Sequence, residues 1–236
     1  MTLDWYYIYS QRYAAFHCYL EDKIPRDQFV PHPIFIDQAI FDEHLYKHSG
    51  KHFMTGINFR IIHIIKTIQE RLSSENMEPF FFTDCDILIG SLAATVLPKY
   101  ALDKTVDLWI QNEYGSSENI VGNPGCILCR PNERSLSFWN RVLEYMNMNI
   151  TTIMDMDAIN HILKDEVSLN WKLFHISHVN TSITIKYSEY AIYHILCATD
   201  DKRRGMAEKY AEAIHMNQPM DEYIKKGITL FKKLYW

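Results

Sequence analysis

Apolar positions along this chain fall into two kinds of segment: short unbroken runs, and longer stretches with helical spacing. Trp5-Tyr6-Tyr7-Ile8-Tyr9 is aromatic and β-branched, which predicts a first strand ending near Ser10. Arg12 to Leu20 reads as a helix. Pro25, Pro31 and Pro33 interrupt the next stretch and leave Ile34-Phe35-Ile36 as a short strand. From Asn58 to Leu72, apolar residues recur at Phe59, Ile62, Ile65, Ile68 and Leu72, the spacing of one helical face, with Asn58 as the N-cap. Pro79 then bounds Phe80-Phe81-Phe82-Thr83-Asp84-Cys85-Asp86-Ile87-Leu88-Ile89, whose apolar run predicts a strand buried on both faces. Further strands are expected over Asp107 to Gln111 and Cys126 to Cys129. Helices are expected over Ser135 to Met148, Asp157 to Lys164 and Ala207 to His215. Strands alternating with helices make the fold class α/β. Sheets of that class bind ligands at the carboxyl ends of their strands, where Asp84 and Asp86 fall.

Composition narrows this picture. The 236 residues are 47% hydrophobic and 22% charged, enough for a sizeable core. Net charge is -5 and no long basic run occurs, so nothing points to nucleic acid. No apolar stretch reaches the length of about 20 residues that a membrane span needs. Met1 to Ser10 is not a signal peptide, and five cysteines, an odd number, point to reduced thiols, so a cytoplasmic location is expected. Cys126-Ile127-Leu128-Cys129 has the CxxC spacing but no second ligand pair, so it reads as strand or turn rather than a zinc site.

Residues two apart on a strand project to the same side, so Asp84 and Asp86 present two carboxylates together. Two close negative charges are unfavourable unless a cation sits near them. Hard divalent cations take carboxylate oxygen and are commonly shared with phosphates, so the pair suits magnesium or manganese bound with a diphosphate. Solvated aspartates at a strand end are the alternative.

Phe81-Phe82-Thr83-Asp84-Cys85-Asp86-Ile87 resembles the DxD segment of GT-A-fold glycosyltransferases, the nucleotide-diphospho-sugar transferases. Four further segments keep that family's order over about residues 5 to 205. Gly56-Ile57-Asn58-Phe59-Arg60 resembles the segment whose basic residue faces the nucleotide, a role that would fall to Arg60, with Gly56 beside it; a surface arginine fits as well. Asn123-Pro124-Gly125 resembles the N-x-G segment that approaches the sugar, although Gly122 to Gly125 would form a turn regardless. Asp155-Met156-Asp157-Ala158-Ile159-Asn160 is similar to the D-Q-D-x-x-N stretch of retaining members; Asp155 would bind donor-sugar hydroxyls, and Asp157 would join it in catalysis or cap the following helix. Met156 departs from the family's Gln, which puts any catalytic role inherited at that position in doubt. His194 matches the late histidine that completes the metal site with Asp84 and Asp86, and Lys202, Arg203 or Arg204 would hold the diphosphate. Tyr9 and Ser10 would touch base and ribose, with burial of Tyr9 in the core as the alternative.

The resemblance therefore implies a GT-A, Rossmann-like domain over 1–205, with a mixed, mostly parallel central sheet flanked by helices. Residues 206–236 would form a helical extension packed on it. It implies Mn2+ or Mg2+ as cofactor, a nucleotide-sugar donor, a uridine-linked one above others, and a carbohydrate or glycan acceptor bound by loops such as Asn112 to Asn119. Metal-dependent transfer with retention follows from Asp155 and His194. An apolar strand followed by DxD is also the mark of haloacid-dehalogenase-like phosphatases. That motif, however, opens its domain and wants Thr or Val where this chain has Leu88, while Asp200-Asp201 would mimic the later acidic motif. A non-catalytic nucleotide-sugar-binding domain is the third reading, supported by Met156 alone.

Overall fold

A computed structural model describes residues 2–37, 54–113, 121–149, 153, 155–181, 189–195, 213, 218 and 220–235. Strands β1 (Leu3–Tyr9) and β2 (Phe29–Phe35) are joined through helix α1 (Ala14–Lys23). Helix α2 (Met54–Ser73) leads to β3 (Phe80–Asp84), which a bend separates from β4 (Ile87–Ile89). Helix α3 (Ala93–Leu102) precedes β5 (Leu108–Asn112) and β6 (Gly122–Cys129), followed by α4 (Glu133–Met148) and α5 (Asp155–Lys164). Three short strands, β7 (Trp171–Leu173), β8 (Val179–Thr181) and β9 (Ile192–His194), come before α6 (Met220–Tyr235).

The main sheet has the order β2-β1-β3-β6-β5-β7, and a smaller one has the order β4-β9-β8. In the main sheet β6 runs against both neighbours, and the remaining pairings are parallel. The expected mixed, mostly parallel sheet is thus observed. Alternation along β1 and β3 sorts the core into two layers. Leu3, Trp5, Tyr7 and Phe81 pack with α1, α3, α6 and the small sheet. Phe80, Phe82, Leu108 and Ile127 pack with α2, α4 and α5 on the other face. Burial on both faces explains why β3 reads as an uninterrupted apolar run. Among the described residues, no helix is long and apolar enough to cross a membrane.

The structure corrects several expectations. Pro31 and Pro33 do not end the second strand but lie within it, opposite Trp5 and Tyr7. Because β2 is an edge strand and the two prolines are two apart, both missing N–H groups fall on the open side, where no ladder bond is lost. Asn58 is not an N-cap, since α2 has already begun at Met54, and Ile62 is 44% exposed while Ile61 and Ile64 fill the core face. The run from Phe80 to Ile89 is two strands in two sheets, broken at Asp84-Cys85-Asp86. Gly122 to Gly125 is no turn but the start of β6. Asp157 lies inside the first turn of α5 instead of capping it. The helix expected over Ala207 to His215 lies outside the described residues except for Ala213, which is helical.

At the amino end of β5, away from the DxD bend, Asp107 joins β5 to α4 and β7. Its buried carboxylate accepts from Arg134 at 2.9 and 2.7 Å, from Asn132 Nδ2 at 2.8 Å and from the Asn170 backbone N–H at 2.9 Å. Burial works to raise its pKa, but these donors outweigh it and hold the carboxyl below its ordinary range. A carboxyl depressed on folding contributes stability above the unfolded pKa of about 3.9, and that contribution is lost as pH falls through the folded value. Asp107→Asn is expected to cost about 2 kcal/mol at neutral pH. In urea melts the cost should shrink below about pH 4, where the wild type surrenders the same contribution; a cost independent of pH would contradict this.

Candidate functional site

The bend after β3 sets the geometry of the site. Asp84 closes β3 opposite Ile8, so Tyr9 and Ser10 lie just beyond it at the same sheet edge. Asp86 follows the bend, and its backbone carbonyl accepts from the Ile195 N–H at 2.9 Å. That bond, with the pairing of Ile87 to His194, fixes β9 against the DxD segment. His194 Nε2 then stands 3.4 Å from Asp84 Oδ2 and 3.6 Å from Asp86 Oδ1. One ligand atom from each of these three residues lies within 4.8 Å of the others, a spacing that a single metal ion could bridge. Two carboxylate oxygens and one imidazole nitrogen are a donor set that suits manganese or magnesium, metals commonly shared with phosphate.

Arg60 reaches this cluster from α2. Its Nη1 donates to Asp84 Oδ1 at 2.6 Å, and Nη2 stands 2.9 Å from Asp155 Oδ2, an ionic contact without hydrogen-bond alignment. The guanidinium is buried, so the surface reading of Arg60 is set aside. Asp155 opens α5 and is itself buried, with its Oδ1 accepting from the Met156 N–H at 2.8 Å. Asn160, one turn on, clamps α5 to β6 by accepting from the Gly122 N–H at 2.8 Å and donating to the Gly122 carbonyl at 2.9 Å. This clamp is what brings Asp155 to the site.

Among the described residues, Arg60 contacts Asp84 and Asp155, and His194 faces Asp84 and Asp86. Burial raises the Asp155 pKa, and the nearby Arg60 opposes this without cancelling it. Burial would also raise Asp84, but Arg60 and His194 prevail and lower it. Burial works to lower the His194 pKa, yet hydrogen bonding to Asp84 and Asp86 lifts it to about 9.

Gly125 has a reason that the sequence did not disclose. It was expected to let a ligand approach, but what approaches it is His194. A Cβ there would stand 2.1 Å from His194 Cε1 and 2.4 Å from Nδ1. Asn123 is buried, donating to Glu113 Oε2 at 2.5 Å and accepting from the Gly125 N–H at 2.7 Å. It thereby holds the irregularity in β6 opposite Ile110 and Gln111, in which Pro124 also sits. One amide hydrogen of Asn123 is left for a ligand.

The remaining expected residues are spread around this centre. Cys85 turns its side chain into the core. Tyr9 is half-buried and stacks on His17 at 4.0 Å, while Ser10 is buried and its carbonyl accepts from the Tyr13 N–H. Gly56 falls in the first turn of α2, one turn before Arg60. Asp157 is exposed. Lys202, Arg203 and Arg204 lie outside the described residues, as do Asp200 and Asp201, and so does the Asn112 to Asn119 loop except for Asn112 and Glu113. Sequence reasoning missed Gln111 and Glu113, both buried beside this centre. Polar residues on an otherwise apolar strand were the available signal.

Comparison with known proteins points the same way. The model of a family described as nucleotide-diphospho-sugar transferase matches residues 30–225. The fold is similar to that of the galactosyltransferase LgtC, solved with donor and acceptor sugar analogues: TM-score 0.52, 13% identity, 89% of this chain and 94% of that chain covered. It is similar to a glycosyltransferase involved in the glycosylation of the major capsid of PBCV-1: TM-score 0.59, 12% identity, 92% and 99% covered. It is also similar to mouse xyloside xylosyltransferase 1: TM-score 0.50, 11% identity, 85% and 100% covered. At these identities the likeness establishes a shared architecture. No curated protein sequence matches the chain.

Proposed function

Since the chain belongs to the nucleotide-diphospho-sugar transferase family, we propose that it moves a sugar from a uridine-diphosphate donor to an acceptor hydroxyl, with metal dependence and retention of configuration. The observation that carries this reading is the convergence of Asp84, Asp86 and His194 within 4.8 Å at the carboxyl ends of the parallel strands. These three residues would hold Mn2+ or Mg2+. A cation held there supplies Lewis-acid stabilisation to a departing diphosphate.

The protein's own groups do the rest. Arg60 restrains Asp84 and Asp155, so that Asp155 meets donor-sugar hydroxyls with its carboxylate fixed. Asn123 and the backbone at Pro124 and Gly125 line the sugar side, Tyr9 and Ser10 the nucleoside side, and the Cys85 backbone the diphosphate. Gly56 belongs to the turn that presents Arg60, Lys202 supplies a cation to the phosphates, and Asp157 assists at the rim. Residues 206–236 complete the same domain, consistent with the packing of Tyr223 on Tyr19.

Met156 has no carboxylate with which to form a covalent intermediate. The acceptor oxygen therefore attacks the anomeric carbon from the face that the diphosphate leaves. The carbon–oxygen bond to phosphate breaks as the new glycosidic bond forms, and the acceptor proton passes to the departing phosphate oxygen. Calorimetry with uridine diphosphate and Mn2+ should show binding, and NMR of the anomeric proton should show retained configuration in the product. No binding at millimolar ligand would overturn the donor assignment, and an inverted product would overturn retention. Family membership sets the phosphatase reading aside, and the non-catalytic reading with it.

A further inference from the structure

A histidine can serve a metal through Nε2 only when its proton resides on Nδ1. Something in the protein must then accept that proton. Behind His194, on the side away from Asp84 and Asp86, stands Gln111 of β5, wholly buried, with Oε1 3.2 Å from His194 Nδ1. The same edge of the ring rests on Gly125, where no side chain could be accommodated. The imidazole is thus wedged between a glycine backbone and an amide oxygen, with only its Nε2 edge turned to the carboxylates.

Gln111 occupies an irregular point in the sheet. The register between β5 and β6 shifts between Ile110 and Gln111, so that Gln111 pairs with Asn123 and not with Cys126, the partner a regular ladder would give it. Gln111 Nε2 has no hydrogen-bond partner among the described residues. An unpaired buried amide nitrogen costs stability, so packing alone gives no reason for a glutamine at this point of the strand.

We propose that Gln111 is a positioning residue for the metal site: its amide oxygen accepts the Nδ1–H of His194, which selects the imidazole tautomer whose Nε2 lone pair faces Asp84 and Asp86. This rests on the metal reading given under Proposed function. Partners of this kind behind a metal-binding histidine commonly change metal affinity by about 10- to 100-fold when removed. The carbonyl oxygen, and not the shape of the side chain, is the feature that matters, so near-isosteric variants separate the two.

The test titrates Mn2+ alone, up to millimolar concentration, into wild-type protein, Gln111→Met and Gln111→Glu, reading free Mn2+ by electron paramagnetic resonance. Thermal melts verify that each variant is folded. Gln111→Met fills the same space without an acceptor, and its affinity should fall about 10- to 100-fold. Gln111→Glu retains the acceptor oxygen and should bind Mn2+ at least tenfold more tightly than Gln111→Met. Binding by Gln111→Met within about twofold of wild type overturns the inference alone, as does failure of Gln111→Glu to exceed Gln111→Met. A wild-type protein that binds no Mn2+ overturns the metal reading itself, and this inference with it.

Discussion

Replacing Asp86 with Asn should reduce sugar transfer by about 10²- to 10³-fold while leaving the fold intact, the scale seen when one preorganised electrostatic contact to a developing charge is lost. The Asp86 side chain is almost fully enclosed, and its carboxylate is one of three donors converging on one point. Asparagine has the same shape and keeps one oxygen. What disappears is a unit of negative charge facing the proposed cation. The contact of Asp86 with His194 at 3.6 Å and its attraction to Arg60 weaken as well, so stability is measured beside transfer. Transfer rates at saturating Mn2+, set beside a urea melt of the same preparation, separate the two effects. Transfer within about threefold of wild type would remove Asp86 from the proposed ligand set.

Arg60→Met should be the most destabilising change at this centre, by about 3–5 kcal/mol, the usual result of deleting one partner of a buried ion pair. Methionine replaces the aliphatic volume of arginine, so the loss is electrostatic rather than a matter of packing. Asp155 would stand buried without a counter-charge, next to Asp84. The pH dependence gives this an independent check. Burial already raises the folded pKa of Asp155, and removing Arg60 raises it further. A carboxyl whose pKa is raised on folding binds its proton more tightly when folded, so the variant should gain stability as pH falls from 7 towards 5. Urea melts across that range decide the matter: a deficit under about 1 kcal/mol, or one that does not shrink with acid, contradicts the argument.

Much of this architecture was legible in the chain because its signals are local. The β1 and β3 runs declared themselves through unbroken apolar residues, and α4 was expected over Ser135 to Met148, within two residues of its observed start. Family motifs carried the candidate metal ligands: Asp84, Asp86 and His194 were named from sequence order, and one ligand atom from each lies within 4.8 Å of the others. Other signals misled for physical reasons. Proline normally ends a strand, but an edge strand has one side on which a donor is not needed, and only sheet order reveals that side. Gly122-Asn123-Pro124-Gly125 has turn composition, yet pairing of Gly122 and Asn123 with β5 holds it extended around an irregularity. Helix α3 carries Pro98 in its interior and gives little periodic signal.

The sequence alone determined which chemistry this protein carries: a DxD pair on a buried strand, and a late histidine in an α/β chain that belongs to a sugar-transferring family. Only the tertiary structure decided how those groups are held. It placed Arg60 between two acidic residues 24 and 95 positions away, set His194 on a glycine 69 positions before it, and put Gln111 behind the ring. The physical reason is range. Propensity and periodicity act over a few residues, whereas charge balance and ring orientation depend on strands that meet only when the sheet closes.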